Sequence, residues 1–261
     1  MDLGLTGKKA LVMASSQGLG KAIAAELIKE GADVMMASRS PEKLERAADE
    51  LEKQGGGSVQ WRTADITNPT DIKKLVAETA HAFGHIDILV NNAGGPPGGG
   101  FREVSDQDWQ QAFELNLLSY VRVIRAVLPH MEERGGRIIN IASSSVKEPI
   151  ANLVLSNTFR TGIVGLTKTL AEELAPDGIF IHTVAPGRFA TDRVRHLDQL
   201  KAEREGVTEE AIKRKSEQQI PLGRYGRPEE FAKVVAFLVS EACTYMTGNS
   251  LLVDGGMIKA I

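Results

Sequence analysis

The sequence predicts an α/β fold: a single Rossmann-type, doubly wound parallel sheet of about seven strands with helices on both faces. Three observations predict it. Short apolar runs alternate with amphipathic helix-length segments to the end of the chain, with no linker or low-complexity tract between them. The first run, Ala10 to Ala14, passes through a small-residue turn, Ser15-Ser16-Gln17-Gly18-Leu19-Gly20, into helical spacing at Ala22, Ile23, Leu27 and Ile28. Its apolar residues are consecutive, as in strands buried on both faces. Repeated strand–helix units of this length imply right-handed crossovers, so a site is expected at the carboxyl ends of the strands.

Each element follows in order. After the first strand and helix, Ala32 to Ser38 is a second strand, and Pro41 to Lys53 a charged helix with Leu44, Ala48 and Leu51 on one side. Gly55-Gly56-Gly57 stops it, and Ser58 to Ala64 is a third strand. Pro69 to Phe83 is amphipathic, with Ile72, Leu75, Val76 and Ala80 as its stripe, and Ile86 to Val90 is a fourth strand. Gly95-Pro96-Pro97-Gly98-Gly99-Gly100 reads as a loop, either a mobile rim or plain surface. Asp106 to Glu133 reads as one long helix along which Trp109, Phe113, Leu117, Val121, Ile124 and Leu128 recur. Arg137 to Ala142 and Ile179 to Ala185 are strands five and six, and Thr247 to Gly256 carries the last. Between them lie a charged helical stretch, Asp192 to Gln219, and a helix from Phe231 to Val239. Residues 1–261 are read as one domain.

The totals narrow the class. With 42% hydrophobic and 25% charged residues this is ordinary globular composition. A net charge of −3 gives no sign of a nucleic-acid or membrane partner. One cysteine, Cys243, excludes an intramolecular disulfide and fits a reducing, cytoplasmic compartment, with a small core residue as its expected role. No apolar run approaches membrane-span length, and the five histidines show no metal-ligand spacing, so no metal is expected.

The Gly-rich turn suits a pyrophosphate, because a tight turn into a helix aims free N–H groups and the positive end of the dipole at one spot. Gly18 and Gly20, lacking Cβ, let phosphate and strand come close. An ordinary strand–loop–helix joint is the other reading of the same residues. Ser38 and Arg39 end the second strand, where an acidic residue would hydrogen-bond ribose hydroxyls. A hydroxyl and a guanidinium suit a 2′-phosphate instead, favouring NADP(H) over NAD(H), unless Arg39 is merely a solvated surface arginine.

Asp65-Ile66 ends the third strand and Asn91-Asn92-Ala93-Gly94 the fourth. With the first turn, these residues resemble the short-chain dehydrogenase/reductase family in its single-domain form, over nearly the whole chain. The resemblance implies that Asp65, beside Ile66, contacts adenine and that Asn92, Ala93 and Gly94 line the cofactor. It also implies cofactor contacts from Ser15, Ser16, Gln17, Gly18, Leu19 and Gly20. One glycine of that family's turn is here Ser15, preceded by Ala14. A strained backbone at Ser15 would cost ~1–3 kcal/mol; alternatively its hydroxyl binds a phosphate oxygen. Pro186, Gly187 and Thr191 match the family's loop over the nicotinamide, and residues 192–219 lie where its substrate lid does, a solvated mobile face being the other reading of that charged stretch. Asn116 falls at its catalytic asparagine, whose side chain lets the helix bend and hold a proton-relaying water. Ser143, the first of Ser143-Ser144-Ser145, falls at its substrate-orienting serine. The long helix and the one after strand five imply a four-helix subunit contact and a homotetramer.

One departure bears on chemistry. The ungapped match of Gly162 to Ala171 places Ser156 and Arg160 where the family's signature has tyrosine and lysine. The three tyrosines, Tyr120, Tyr225 and Tyr245, all lie elsewhere. A tyrosine beside a cation can protonate the alkoxide left by hydride transfer. Serine is far too weak an acid to replace it directly, and arginine stays protonated near neutral pH. Two readings stand: Ser143, Ser156 and Arg160 form an alternative catalytic site, or Ser156 is a helix N-cap and Arg160 only a ribose contact. The resemblance implies an NADP(H)-dependent ketone/secondary-alcohol oxidoreductase, with 3-oxoacyl thioesters among its substrates. A non-catalytic dinucleotide-binding sensor or partner subunit is the alternative.

Overall fold

Seven strands carry the molecule: Lys9–Met13 (β1), Asp33–Ser38 (β2), Val59–Thr63 (β3), Ile88–Asn91 (β4), Gly136–Ile141 (β5), Ile179–Pro186 (β6) and Ser250–Val253 (β7). The computed structural model describes residues 2–131 and 133–260. All pairings are parallel, in the order β3-β2-β1-β4-β5-β6-β7. The chain leaves β1 toward β2 and β3, then returns to place β4 on the other side of β1. That reversal opens a crevice above the carboxyl ends of β1 and β4.

Alternate residues of each strand go to opposite faces, and both faces are covered. Ala10, Val12, Val34, Met36 and Ile88 pack against Gly18–Lys29 (α1), Pro41–Glu52 (α2) and Pro228–Val239 (α9). Leu11, Met13, Met35, Leu89 and Ile138 pack against Pro69–Phe83 (α3), Ser119–Val127 (α5) and Val154–Leu174 (α6). Full burial of each such side chain is worth about 1.5–3 kcal/mol, so the strands are held by burial on both sides. Helix starts follow local chemistry. Ser40 caps α2 and Asn68 caps α3, each with proline in the first turn, and Gly84 closes α3 in the left-handed region.

Two predicted elements differ. The long helix expected over Asp106 to Glu133 is Asp106–Phe113 (α4), a π-helical stretch at Glu114–Leu118, then α5, and it ends in a 3₁₀ turn at Leu128–His130. Glu132, inside the predicted span, lies outside the described residues. Over the span the buried positions among the described residues are Ala112, Asn116, Ser119, Tyr120, Val123, Ile124, Val127 and Met131; Trp109, Phe113, Leu117 and Val121 are only half-buried. The aromatic part of the predicted stripe packs on Phe159 of α6 instead of on the sheet. The charged stretch after Thr191 is two helices, Asp192–Glu205 (α7) and Glu209–Glu217 (α8). Gly206, at φ 66°, ends the first in a left-handed cap.

A buried polar chain pins α6 to the sheet. Asn91 donates to Asn140 at 3.0 Å, Asn140 to Thr167 at 3.0 Å, and the Thr167 and Thr183 hydroxyls meet at 2.8 Å. No helix among the described residues is long and apolar enough to cross a membrane.

Candidate active site

A cleft of about 510 Å³ lies over the carboxyl ends of β1 to β6. Its first wall is the turn after β1. Gln17 precedes α1 without a side-chain cap, and no acidic residue occupies the first turn, so the first N–H groups point into the cleft unneutralised. Ser16, Gln17, Gly18 and Leu19 line it. Gly18 takes φ +58°, which favours glycine, and Thr191 crosses the cleft to within 3.8 Å of where its Cβ would be. Gly20 is set back from the cleft: a Cβ there would stand 2.4 Å from the Ala14 carbonyl oxygen and 2.8 Å from the Asn92 amide. Its role is close packing.

Ser15 is directed away from the cleft. Its hydroxyl donates to the Val12 carbonyl at 2.8 Å and accepts from the Ala37 N–H at 3.0 Å, while its own N–H donates to the Ala37 carbonyl. Its N–H and its hydroxyl oxygen thus join β1 to Ala37 of β2, while its hydroxyl hydrogen turns back to β1. The positive φ falls one residue earlier, at Ala14 (47°), so the strain expected at Ser15 sits on Ala14.

The β2 end of the cleft is cationic. Ser38, Arg39, Ser40 and Lys43 line it. Arg39 is exposed and makes no ion pair among the described residues. Among the described residues the Lys43 side chain reaches only that of Gln17, at 3.1 Å. The Ser38 hydroxyl is buried without a partner among the described residues. Lys43 had no role in the sequence reading; its place one turn into α2, behind Arg39, is the signal that could have found it. Ile66 lines the same end, but Asp65 is turned back: its carboxylate accepts from the Thr67 N–H at 2.9 Å and hydroxyl at 2.7 Å.

At the other end lie Asn92, Ala93, Gly94, Ser143, Ser156, Arg160, Pro186, Gly187 and Thr191. Ser156 and Arg160 are one turn apart on α6 and share a face. Leu153 is the N-cap of that helix, so Ser156 is not. The Ser156 hydroxyl has no hydrogen-bond partner among the described residues, and the Ser143 hydroxyl oxygen only accepts, from the Ser145 N–H at 3.2 Å. Both are free to donate into the cleft.

Arg160 is 4% exposed, and neutral oxygens surround its guanidinium. Nη1 donates to the Tyr120 hydroxyl and the Ile141 carbonyl, each at 2.8 Å, and Nη2 to the Ala93 carbonyl at 3.2 Å. Tyr120 itself donates to the Ile141 carbonyl at 2.8 Å. Burial pushes its phenol up, outweighing the nearby guanidinium charge, so it is not an acid for the cleft.

Asn116 does not line the cleft; it stands behind it. Its amide donates to the Gly94 carbonyl at 2.7 Å from within the π-helical stretch, and its carbonyl oxygen is buried without a partner. A π-helical stretch therefore stands at the place where the resemblance implies a bend and a bound water. The loop after Gly94 forms the rim: Gly95 and Pro96 line the cleft, and Gly99 is fastened to Asn152 at 2.7 Å. Arg193, at the start of α7, closes over this rim and donates to the Pro96 carbonyl at 2.8 Å. The α7 helix is anchored below by Asp198, 2% exposed, which takes Arg188 at 2.6 Å and the Tyr225 hydroxyl at 2.7 Å. Sequence reasoning gave Arg193 no individual role.

Known proteins share this frame. The family described as enoyl-(acyl carrier protein) reductase matches residues 13–258. The 3-oxoacyl-(acyl-carrier-protein) reductase of Aquifex aeolicus is 37% identical over 98% of this chain and all of its own. Dehydrogenase/reductase SDR family member 4 of Oryctolagus cuniculus is 36% identical over 97% of this chain and 94% of its own. Among solved structures, L-sorbose reductase of Gluconobacter frateurii, complexed with NADPH and L-sorbose, superposes with a TM-score of 0.95 at 33% identity over the whole of both chains. Actinorhodin polyketide ketoreductase with NADPH gives 0.92 at 35% identity, over 96% of this chain and 97% of its own. Sheet order, crevice and full-length likeness agree, and the chain belongs to the short-chain dehydrogenase/reductase family.

Proposed function

We propose that this chain is an NADP(H)-dependent oxidoreductase interconverting a ketone and a secondary alcohol with an atypical acid/base site. The observation that carries the reading is the two-ended cleft: cations around an orphaned hydroxyl at β2, and two free serine hydroxyls at β5 and α6. The NADPH in the sorbose reductase and polyketide ketoreductase structures supports the cofactor, and the A. aeolicus relative makes a 3-oxoacyl thioester one substrate class to try.

The residues fit the cofactor. The uncapped N-terminus of α1 and Gly18 suit its pyrophosphate. Arg39, Lys43 and Ser38 suit a 2′-phosphate through charge-assisted hydrogen bonds, which NAD(H) would leave unmade. Bound here, the cofactor would supply the hydride. Ser143 and Ser156 hold the carbonyl oxygen by donating to it. The Arg160 guanidinium behind them stabilises negative charge developing on that oxygen. A serine cannot give up its proton unaided, so the proton reaches the oxygen from water through a serine hydroxyl. Loss of a tuned acid typically costs ~10²–10⁴ in rate, and turnover is expected to be slow.

A non-catalytic nucleotide-binding sensor or partner subunit is the second reading. The sealed Tyr120 hydroxyl favours it, since no phenol faces the cleft among its described lining residues. A fluorescence titration with NADPH, followed by turnover on a carbonyl panel, separates the two. Turnover lost in Ser143→Ala supports the enzyme; binding without turnover on any carbonyl supports the sensor. Failure to bind either nicotinamide coenzyme overturns both. The half-buried Leu117 and Val121, with Trp109 and Phe113, which pack on Phe159, support the homotetramer, which light scattering on the purified chain would test. A buried Cys243 thiol accords with a cytoplasmic location.

A further inference from the structure

Two guanidiniums at the reacting end have no carboxylate partner. Neighbouring arginines have one: Arg188 binds Asp198 at 2.6 Å, and Arg195 lies 3.8 Å from Asp192. Arg160 and Arg193 pair with no acid among the described residues. Asp192, the one carboxylate among the described lining residues, has a side chain 73% exposed to solvent.

Arg160 uses Nη1 and Nη2 on neutral oxygens, yet its Nε–H has no partner among the described residues and is not sealed inside. Arg193 folds its guanidinium over Gly95, 3.0 Å from where a Cβ would be, and spends Nη2 on Pro96. The carbonyls these arginines hold, Ala93 and Pro96, are three residues apart, hence within about 11 Å of each other. Arg193 is exposed as a residue, but its guanidinium lies against the rim, and that partial desolvation, then the charge of Arg160, pull its pKa down. An anion between the two would relieve that repulsion.

We infer that the reacting end binds a carboxylate: the substrate is an oxo acid, or the matching hydroxy acid, whose carboxylate is held by Arg193 and the Arg160 Nε–H while its carbonyl meets Ser143 and Ser156. This inference rests on the oxidoreductase reading of the cleft. A neutral thioester or simple ketone leaves both guanidiniums uncompensated; a carboxylate accepts charge-assisted hydrogen bonds from each. Arg193 is then the residue that sets specificity.

The test first titrates NADPH, whose failure to bind would count against the oxidoreductase reading itself. Pyruvate, acetoacetate and levulinate, and the methyl ester of each, are then titrated by calorimetry into protein saturated with NADP⁺. At least one acid is expected to bind about tenfold or more tightly than its ester, the range of one lost hydrogen bond to a charged group. Arg193→Gln should erase that preference and leave NADPH affinity within about twofold, while Arg193→Lys should restore part of it. Acids that bind no better than their esters overturn the inference. So does Arg193→Gln weakening NADPH itself, which would give the anion site to the cofactor pyrophosphate. Arg193 is exposed, so an unchanged melting temperature is expected to accompany either result.

Discussion

Arg39 and Arg160 stand at opposite ends of one cleft, and their charges are met in different ways. Arg39 is exposed, free of ion pairs among the described residues, and beside a buried hydroxyl that has no partner. Arg160 is 4% exposed and donates to three neutral oxygens from β4, α5 and β5 and their ends. Lys9, which pairs with the Asp33 carboxylate across the amino ends of β1 and β2, shows a third way. An exposed cation is available to a ligand, whereas a buried one must first be satisfied by the fold and offers only what remains. The β2 end is therefore built to bind charge. At the α6 end Arg160 also holds the walls together, and only its Nε–H and one Nη2–H are left without a partner among the described residues.

The largest expected effect breaks the comparison at Arg160. Arg160→Leu leaves the Ala93 carbonyl and the Tyr120 oxygen without their donor and should cost about 2–4 kcal/mol in urea unfolding. A variant as stable as the parent would make Arg160 a ligand group only. Next, Arg39→Ala should weaken NADPH about 10–100-fold, leave NADH unchanged, and shift stability by no more than about 0.5 kcal/mol. The loss should shrink as salt rises, because the site is exposed. Equal loss for both coenzymes would remove Arg39 from the 2′-phosphate. Thr167→Val, which cuts the hydroxyl joining Asn140 to Thr183, should cost about 1–2 kcal/mol in melting experiments without moving NADPH affinity. A change in cofactor affinity would show that the pinned helix also sets the site.

The smallest effect concerns the ion-paired end. Partial burial raises the Asp33 carboxyl, but hydrogen bonds from Lys9 and Ser58 outweigh it and hold the pKa at about 2, against an ordinary 3.8. A depressed folded-state pKa favours folding above the unfolded value and is lost as acid protonates the group. Stability should therefore fall between about pH 4 and pH 2, by roughly 1 kcal/mol after solvent screening. Asp33→Asn should flatten the part of the acid transition that Asp33 contributes.

The expected strands all appear within a few residues, because runs such as Ala10-Leu11-Val12-Met13 are buried on both faces and carry their signal locally. Ser38 ends β2, Arg39 follows it and Gly18 opens α1, so their place at the carboxyl edge of the sheet was legible from the same local signal. The break at Glu114–Leu118 was not legible in the apolar spacing, which runs through it unchanged; only the family resemblance pointed to a bend at Asn116. What opens the helix there is Asn116 reaching back to the Gly94 carbonyl. Ser15 and Asp65 looked like ligand contacts by position, yet both satisfy the backbone beside them.

Local order of apolar and small residues was enough for the sheet, its helices and the mouth where a nucleotide would lie, because burial and turn chemistry act over a few residues. The availability of each polar group needed the assembled fold. Arg160 finds its acceptors at Ala93, Tyr120 and Ile141, and Arg193 its own at Pro96, all far away in the chain. Hydrogen-bond saturation is a property of neighbours in space, so which cation stays free is decided only once those neighbours have met.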